Sequence, residues 1–220
     1  ERDTNALIQY FSSFSRKARK QVTYIIMDMS PLFKLVMQTM FPHAHIVADR
    51  YHVCRLVDWA VERVRKREQK ILVAHSKMLK HNRRILMKNP DRLTESEQIK
   101  LQEILRISDD LRIAYGLRLA FRKIFKTFSI HNIERHLQLW LNIVERSHLV
   151  EFNNFKLSFT NWFPQIVNAF VLPYSNGFTE GCNNKIKVLK RISYGLRHFE
   201  RFRVRILMLS KKNSTSYFHS

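Results

Sequence analysis

Three acids and one imidazole are spaced so that together they could do phosphoryl chemistry. Asp28 and Asp49 each follow directly on a short apolar, β-prone run, residues 22–27 (VTYIIM) and 45–48 (HIVA). Such runs read as buried parallel strands, and the carboxyl ends of parallel strands form the working edge of an open sheet, so both acids are expected to project toward one crevice. The tetrapeptide Asp49-Arg50-Tyr51-His52 adds a histidine three residues after the second acid. At a strand-to-helix junction the two can share a face, where the carboxylate orients or charges the ring. Glu180 supplies a third carboxylate, within the run SNGFTEGCNNKIK of residues 175–187. Two or three carboxylates can hold Mg²⁺, which prefers oxygen ligands, and a metal pair can activate a nucleophile and stabilise the leaving oxygen of a phosphodiester. The plainer readings are that strand-end Asp residues cap helices, that His52 is a hydrogen-bonded structural histidine, and that Glu180 is a solvated helix residue.

The elements that must position these groups are legible in outline. Between the two strands, Ser30 can cap and Pro31 suits a first helical position, while Leu32, Leu35, Val36 and Met40 recur at helical spacing. Residues 1–58 therefore read as a βαβ unit with its helix packed on the sheet. From about Trp59 strand signals vanish. Apolar residues recur at helical spacing in Ile99/Leu101/Ile104/Leu105/Ile107, in Leu117/Phe121/Ile124/Phe125/Phe128 and in Leu137/Trp140/Leu141/Val144, with breaks near Asn89-Pro90 and Trp162-Phe163-Pro164. Residues 59–172 are predicted to form an insertion of four or five helices whose aromatics are core rather than base-stacking platforms. Residues 173–220 are predicted to be helical again. There Gly177 marks a turn, Cys182, Ile186 and Leu189 form an apolar stripe, and Glu180, Asn184, Lys187 and Arg191 lie at i, i+4, i+7 and i+11 on the opposite one.

Charge points to the partner. The 220 residues carry 39 Lys plus Arg against 18 Asp plus Glu, a formal net charge of +21, yet 45% are hydrophobic and only 4 are Gly. A folded core with so positive a surface favours a polyanion over a small neutral substrate. The imbalance concentrates between Lys185 and Lys212, where ten Lys or Arg face one acid, Glu200. Lys185, Lys187, Lys190 and Arg191 are expected to contact DNA phosphates, with Arg197, Arg201, Arg203 and Arg205 extending the track. The competing reading is a solvated face beside a buried stripe of Phe199, Phe202 and Val204. No apolar run approaches the roughly 18 residues of a membrane span, and ERDTNALIQY is no leader, so a soluble, cytoplasmic, nucleoid-associated protein is expected. Cys54 and Cys182 lack zinc-ligand spacing and are read as reduced core thiols.

Two long blocks, MDMSPLFKLVMQTMFPHAHIVADRYHV and SNGFTEGCNNKIKVLKRISYGLRHFERFRVRIL, resemble the catalytic domain of bacterial insertion-sequence transposases of the ISL-three family, and the resemblance covers essentially the whole chain. Those enzymes are DDE transposases with a ribonuclease-H-like α/β fold, which here would carry a large all-helical insertion. The resemblance implies a carboxylate triad holding Mg²⁺, with Mn²⁺ able to substitute, DNA (transposon ends and target) as partner, and a homo-oligomer on DNA. Asp28 falls where the second catalytic Asp belongs, ahead of the FP-x-A stretch Phe41-Pro42-His43-Ala44. Asp49 and His52 match the D-x-x-H element that follows it, and Glu180 matches the third acid, supported by Asn176, Asn183 and Asn184. A competing alignment makes Asp49 the second metal ligand and Asp28 a supporting residue.

The chain departs from the family pattern in one respect. The first catalytic Asp belongs on an upstream strand, and nothing before residue 22 resembles that strand; Asp3 sits in a polar, helix-like stretch. The zinc-binding and helix-turn-helix regions of the family have no counterpart either. A chain starting at Glu1 is therefore expected to be a fragment, inactive alone. The other expectation, from a different class, is a non-catalytic nucleic-acid-binding module that keeps the fold and the charge.

Overall fold

The apolar runs pair as parallel strands. β1 (Tyr24–Met27) and β2 (His45–Ala48) align Tyr24 with His45 and Met27 with Ala48. The structure, a computed structural model, describes residues 4–127, 132–174, 176–193 and 198–214. The two strands form the sheet of the described residues, and the rest is helical. Two short helices, α1 (Thr4–Ser12) and α2 (Arg16–Lys20), precede β1.

The crossover between the strands is α3 (Pro31–Met40), entered by Pro31 because a missing N–H costs nothing in a first turn. Ser30 takes the cap position without its side chain making the cap hydrogen bond, contrary to expectation. The buried face of α3 also differs from the expected stripe. Val36 and Met40 are buried and pack with Leu7, Phe11, Val22 and Ile25, whereas Leu32 and Leu35 are exposed. The helix is thus clamped between α1 and the sheet.

α4 (Arg50–Ile71) begins at the strand-to-helix junction expected at Asp49–His52 and runs on through residue 59, where the helical segment was expected to begin. Val53, Val57, Ala60, Val61 and Val64 are at most 1% exposed along its inner face, each such burial contributing roughly 1.5–3 kcal/mol for the larger side chains. They meet α8 (Asp109–Thr127), the main packing partner of α4. Instead of four or five helices, the segment folds as a set of shorter ones: α5 (Ser76–His81), α6 (Arg83–Met87), α7 (Glu95–Arg106), α8, α9 (Ile133–Arg146), α10 (Asn153–Asn161) and α11 (Phe163–Val171). The break at Pro90 leaves Asn89 extended, and at Trp162-Phe163-Pro164 the proline sits in the first turn of α11, where its missing donor is not needed.

An aromatic cluster locks this layer. Phe121 and Trp140 have ring centroids 4.8 Å apart, Trp140 and Phe155 5.2 Å, and Phe155 and Phe159 5.2 Å. The Trp140 indole N–H donates to the Leu117 carbonyl at 2.9 Å, so its polar edge is satisfied inside the core. Ile99, Phe125 and Phe128 belonged to the expected stripes: Ile99 is exposed, and the other two side chains lie outside the described residues. Arg118 is fully buried, and its guanidinium donates to Asp58 at 2.8 Å and to the main-chain oxygens of Met87 and Lys88, closing the C-terminus of α6.

The chain divides into two units, residues 1–174 and 175–220. The second contains α12 (Gly177–Ile192) and α13 (Phe199–Ser214), which contact each other.

Candidate active site

Asp49 ends a strand and starts a helix. Its backbone N–H donates to the Met27 oxygen at 2.9 Å, one more rung beside the strand ladder, which sets Asp28 and Asp49 next to each other. Its Oδ1 accepts the Tyr51 N–H at 3.1 Å and caps α4, where the positive end of the helix dipole favours an anion. Its Oδ2 lies 2.9 Å from His52 Nδ1, and the residue is 4% exposed. An ionised carboxylate can only accept, so Nδ1 is the donor to Asp49, and in the neutral ring Nε2 is then the nitrogen with the lone pair. That nitrogen lies 3.8 Å from Oδ2 of Asp28, whose side chain is half exposed.

Asp28, Asp49 and His52 thus each offer a ligand atom, and these atoms all lie within 4.8 Å of one another. The roles within the cluster differ. Both Asp49 oxygens are engaged, one by the cap and one by the ring, while Asp28 has no hydrogen bond to its carboxylate among the described residues. The 3.8 Å between Asp28 Oδ2 and His52 Nε2 is too long for a hydrogen bond but shorter than two metal–ligand bonds of about 2.1 Å each. The residues therefore fit a divalent cation, held by Asp28 and the free ring nitrogen with Asp49 fixing the ring from behind, as carboxylates commonly do for metal-bound histidine. The carboxylate oxygen suits Mg²⁺ or Mn²⁺, and the imidazole nitrogen favours a transition metal such as Mn²⁺ over Mg²⁺.

A remote clamp holds this corner. Arg50, the first residue of α4, donates through Nε to the Ala169 carbonyl and through its second terminal nitrogen to the Leu172 carbonyl at 2.7 Å. It so caps the C-terminus of α11, while Asn168 of α11 donates to the Ile46 carbonyl of β2 at 2.9 Å. The last helix of the segment from 59 onward therefore braces the strand-to-helix junction that carries Asp49 and His52.

A cavity of about 450 Å³ opens beside the acids, with Asp28, Ser30, His52, Arg55, Trp59 and Trp162 among its lining. Arg55 and Trp59 were not among the residues expected to act. The Arg55 guanidinium sits 4.4 Å from the centroid of the Trp59 ring, a cation–π contact, and the ring is 44% exposed, unlike buried Trp140 and Trp162. The signal was present in the spacing, because Arg55 and Trp59 follow His52 at i+3 and i+7 and so share its face of α4. Chemically the cavity offers a carboxylate, an imidazole lone pair, a cation and an aromatic face.

Nearby, Cys54 is a free thiol that burial pushes up to about 11, with Asp58 and Asp49 adding to the effect against Arg122 and Arg118. Cys182 is also free.

Glu180 belongs to the second unit, in the first turn of α12, exposed, with its N–H donated to the Asn176 oxygen at 2.9 Å. Asn176 occupies the cap position of α12 without a side-chain cap bond, and Asn183 and Asn184 are exposed. Leu189 is buried, and Cys182 and Ile186 are partly so. Lys185, Lys187, Lys190 and Arg191 are exposed on α12, and Arg201, Arg203 and Arg205 on α13. Arg203 pairs with Glu200 at 3.3 Å and Arg205 donates to the Ser193 hydroxyl at 3.4 Å. Of the apolar positions of α13, Phe199 and Val204 are exposed and Phe202 is partly buried. Ser175 and Arg197 lie outside the described residues.

Among the described residues no helix is long and apolar enough to cross a membrane. Comparison with known proteins agrees with the blocks around these residues. The chain is 26% identical over 201 residues to the "Transposase for insertion sequence element IS1001" of Bordetella parapertussis, an alignment covering 90% of this chain and 50% of that protein. The chain therefore spans half the length of that relative. A second similarity, 51% identity over 51 residues, is to an "ATP-dependent protease" of Lactococcus lactis subsp. lactis and covers 23% of this chain and 16% of that protein. No solved structure matches at a significant level. Residues 1–206 match the family DDE_Tnp_ISL3, described as "Transposase", a span that takes in both strand-end acids, the helical segment and Glu180, and the chain belongs to that ISL3 family of transposases.

Proposed function

We propose that this chain is the catalytic region of a DDE-type DNA transposase that cuts and rejoins DNA at transposon ends in the bacterial cytoplasm. The observation that carries the reading is the convergence of Asp28, Asp49 and His52 at the carboxyl edge of two parallel strands. The β1–α3–β2 unit would be part of a ribonuclease-H-like core in residues 1–58, residues 59–172 its helical insertion, and residues 173–220 the return to the core.

In this reading Asp28 and Glu180 are metal ligands, with the His52 ring nitrogen a further donor. A bound divalent cation supplies the positive charge that activates an attacking water or DNA 3′-hydroxyl and steadies the departing oxygen. Asp49 holds His52 in one tautomer and caps α4, so it positions the ring without being a ligand itself. Asn176, Asn183 and Asn184 flank the third acid and support its helix turn. Lys185, Lys187, Lys190, Arg191, Arg201, Arg203 and Arg205, with Arg197 between the helices, hold DNA phosphates. Paired transposon ends would call for a homo-oligomer.

The experiment is strand transfer of transposon-end duplex in Mg²⁺ by the transposase carrying Glu180→Ala, beside DNA binding in chelator. Loss of joining with binding retained supports the assignment; joining equal to the parent overturns Glu180 as the third acid, and a parent that binds DNA without joining it leaves a nucleic-acid-binding module that uses only the basic helices.

A further inference from the structure

The stripe of α4 that carries His52, Arg55 and Trp59 continues past Trp59. At i+11, i+14 and i+18 from His52 stand Arg63, Lys66 and Lys70. Eighteen residues make five turns of an α-helix, so Lys70 returns to the azimuth of His52. Lys66 and Lys70 are exposed and Arg63 partly so, while the inner face of the same turns is the buried row of Val57, Val61 and Val64. Arg63, Lys66 and Lys70 line a groove of about 590 Å³ with Lys80 of α5, and the rest of the lining is Arg65, Arg67 and Gln69, with no acid.

The acids of α4 are spent elsewhere. Glu62 takes two hydrogen bonds from Arg65 at 2.9 Å and a contact from Arg83 at 3.2 Å. Burial pushes the Glu62 carboxyl up, but the Arg65 hydrogen bond and the charges of Arg65, Arg83 and, least, Lys66 outweigh it and hold the group below its ordinary range. Glu68 accepts the Ser108 hydroxyl at 2.8 Å, and Arg67 is bound by Glu151 at 2.6 Å and Asp110 at 2.7 Å. Arg65 and Arg67 are thereby neutralised. Arg63, Lys66, Lys70 and Lys80 make no salt bridge among the described residues. Like charges at i, i+3 and i+7 work against a helix unless an anion relieves them.

We propose that this face of α4, from Arg55 through Arg63 and Lys66 to Lys70 and widened by Lys80, is a second DNA track, holding the phosphate backbone of a duplex as it leaves the Asp28–Asp49–His52 cluster. From His52 to Lys70 the helix rises roughly 27 Å, which at about 3.4 Å per nucleotide of one strand covers about eight nucleotides. The track is separate from α12 and α13, and it gives the helical segment a task besides bracing the junction. It rests on the DNA reading above, and charge complementarity selects the occupant: the cations from Arg63 to Lys70, in a groove with no acid in its lining, match a row of phosphates.

The test is binding of the chain to a mixed-sequence duplex of about 30 base pairs in chelator, as a function of KCl, for three proteins besides the parent. The first carries Arg63→Ala, Lys66→Ala and Lys70→Ala. The second carries Lys100→Ala, Arg112→Ala and Lys156→Ala, which removes equal charge from other helices. The third swaps Arg63→Lys, Lys66→Arg and Lys70→Arg. Each phosphate contact contributes about 0.9 to the slope of log affinity against log salt, so the first variant is expected to lose roughly 2.7 from that slope. The charge-conserving swap should keep the parental slope, and the displaced-charge variant should lose much less. Equal slopes for the first two variants overturn the track while leaving DNA binding through the C-terminal helices intact. Should the first variant instead lose binding only to phosphatidylserine vesicles or to single-stranded RNA, the duplex assignment is overturned. A parent without salt-dependent duplex binding overturns the DNA reading, and the track with it.

Discussion

Asp49 and His52 are joined side chain to side chain at 2.9 Å, and that bond lies inside a helix cap. One carboxylate therefore fixes both where α4 starts and which way an imidazole at the crevice points. The coupling makes stability and chemistry separable by substitution.

Asp49→Ala removes the cap and the ring's partner together. The cap is worth about 0.5–2 kcal/mol, read as a shift in urea unfolding. The ring would lose its fixed tautomer, so Mn²⁺ affinity by calorimetry is expected to fall about 10- to 100-fold. Asp49→Asn keeps an oxygen for Tyr51 N–H and should recover most of the stability but not the affinity. If both substitutions leave metal binding at the parental level, Asp49 does not act through His52.

Trp59→Ala should lower the melting temperature only modestly, because the residue is 44% exposed and its ring partner is the Arg55 guanidinium. Binding of single-stranded DNA should weaken by about 1–3 kcal/mol if a base stacks there. Trp140 and Trp162 are buried, so quenching of tryptophan fluorescence on adding DNA should also disappear with Trp59. Persistence of the full quench would place the base elsewhere.

Arg118 is a charge with no access to water. Removing its carboxylate by Asp58→Ala leaves a buried guanidinium with carbonyl partners only and exposes Arg122 to the same loss. Such a change typically costs about 3–5 kcal/mol. Denaturant midpoints for the parent and the variant measure it, and a loss under about 1 kcal/mol would mean that Met87 and Lys88 satisfy Arg118 unaided.

Cys54 predicts an alkaline limb. Its thiol is raised to about 11 from 9.0 by burial, so the folded state keeps a proton that the unfolded state gives up first. Stability from this group is complete below pH 9 and declines as pH rises toward 11, by ~2–3 kcal/mol at most. Subtracting the profile of Cys54→Ala from that of the parent isolates the slope. A difference flat across that window would count against the raised value.

Much of the first unit was readable because its signals are local. β-Prone runs, a proline at a first turn and acids at strand ends depend on neighbours in the chain, and the strands, α3 and the Asp49–His52 contact follow from them. Errors arose where burial depends on a remote partner. Leu32 and Leu35 have the right spacing for a core face, but α1 and the sheet cover Val36 and Met40 instead. Phe199 and Val204 were read as a buried alternative to a basic face and are exposed.

Sequence alone settled the residue types on offer: acids behind two apolar runs, a histidine three residues after one of them, a third acid in a basic helix, and a large positive charge. Spacing on one strand or one helix is a property of backbone geometry and needs no fold. Which of those groups are spent and which are left over was decided only in three dimensions. Arg50 closes a helix 119 residues away and Arg67 is satisfied by acids from two other elements, while Arg63, Lys66 and Lys70, of the same charge and on the same helix, face outward. Whether a cation serves the fold or remains for a polyanion depends on whether burial brings it an acid or a carbonyl, and that is a matter of packing.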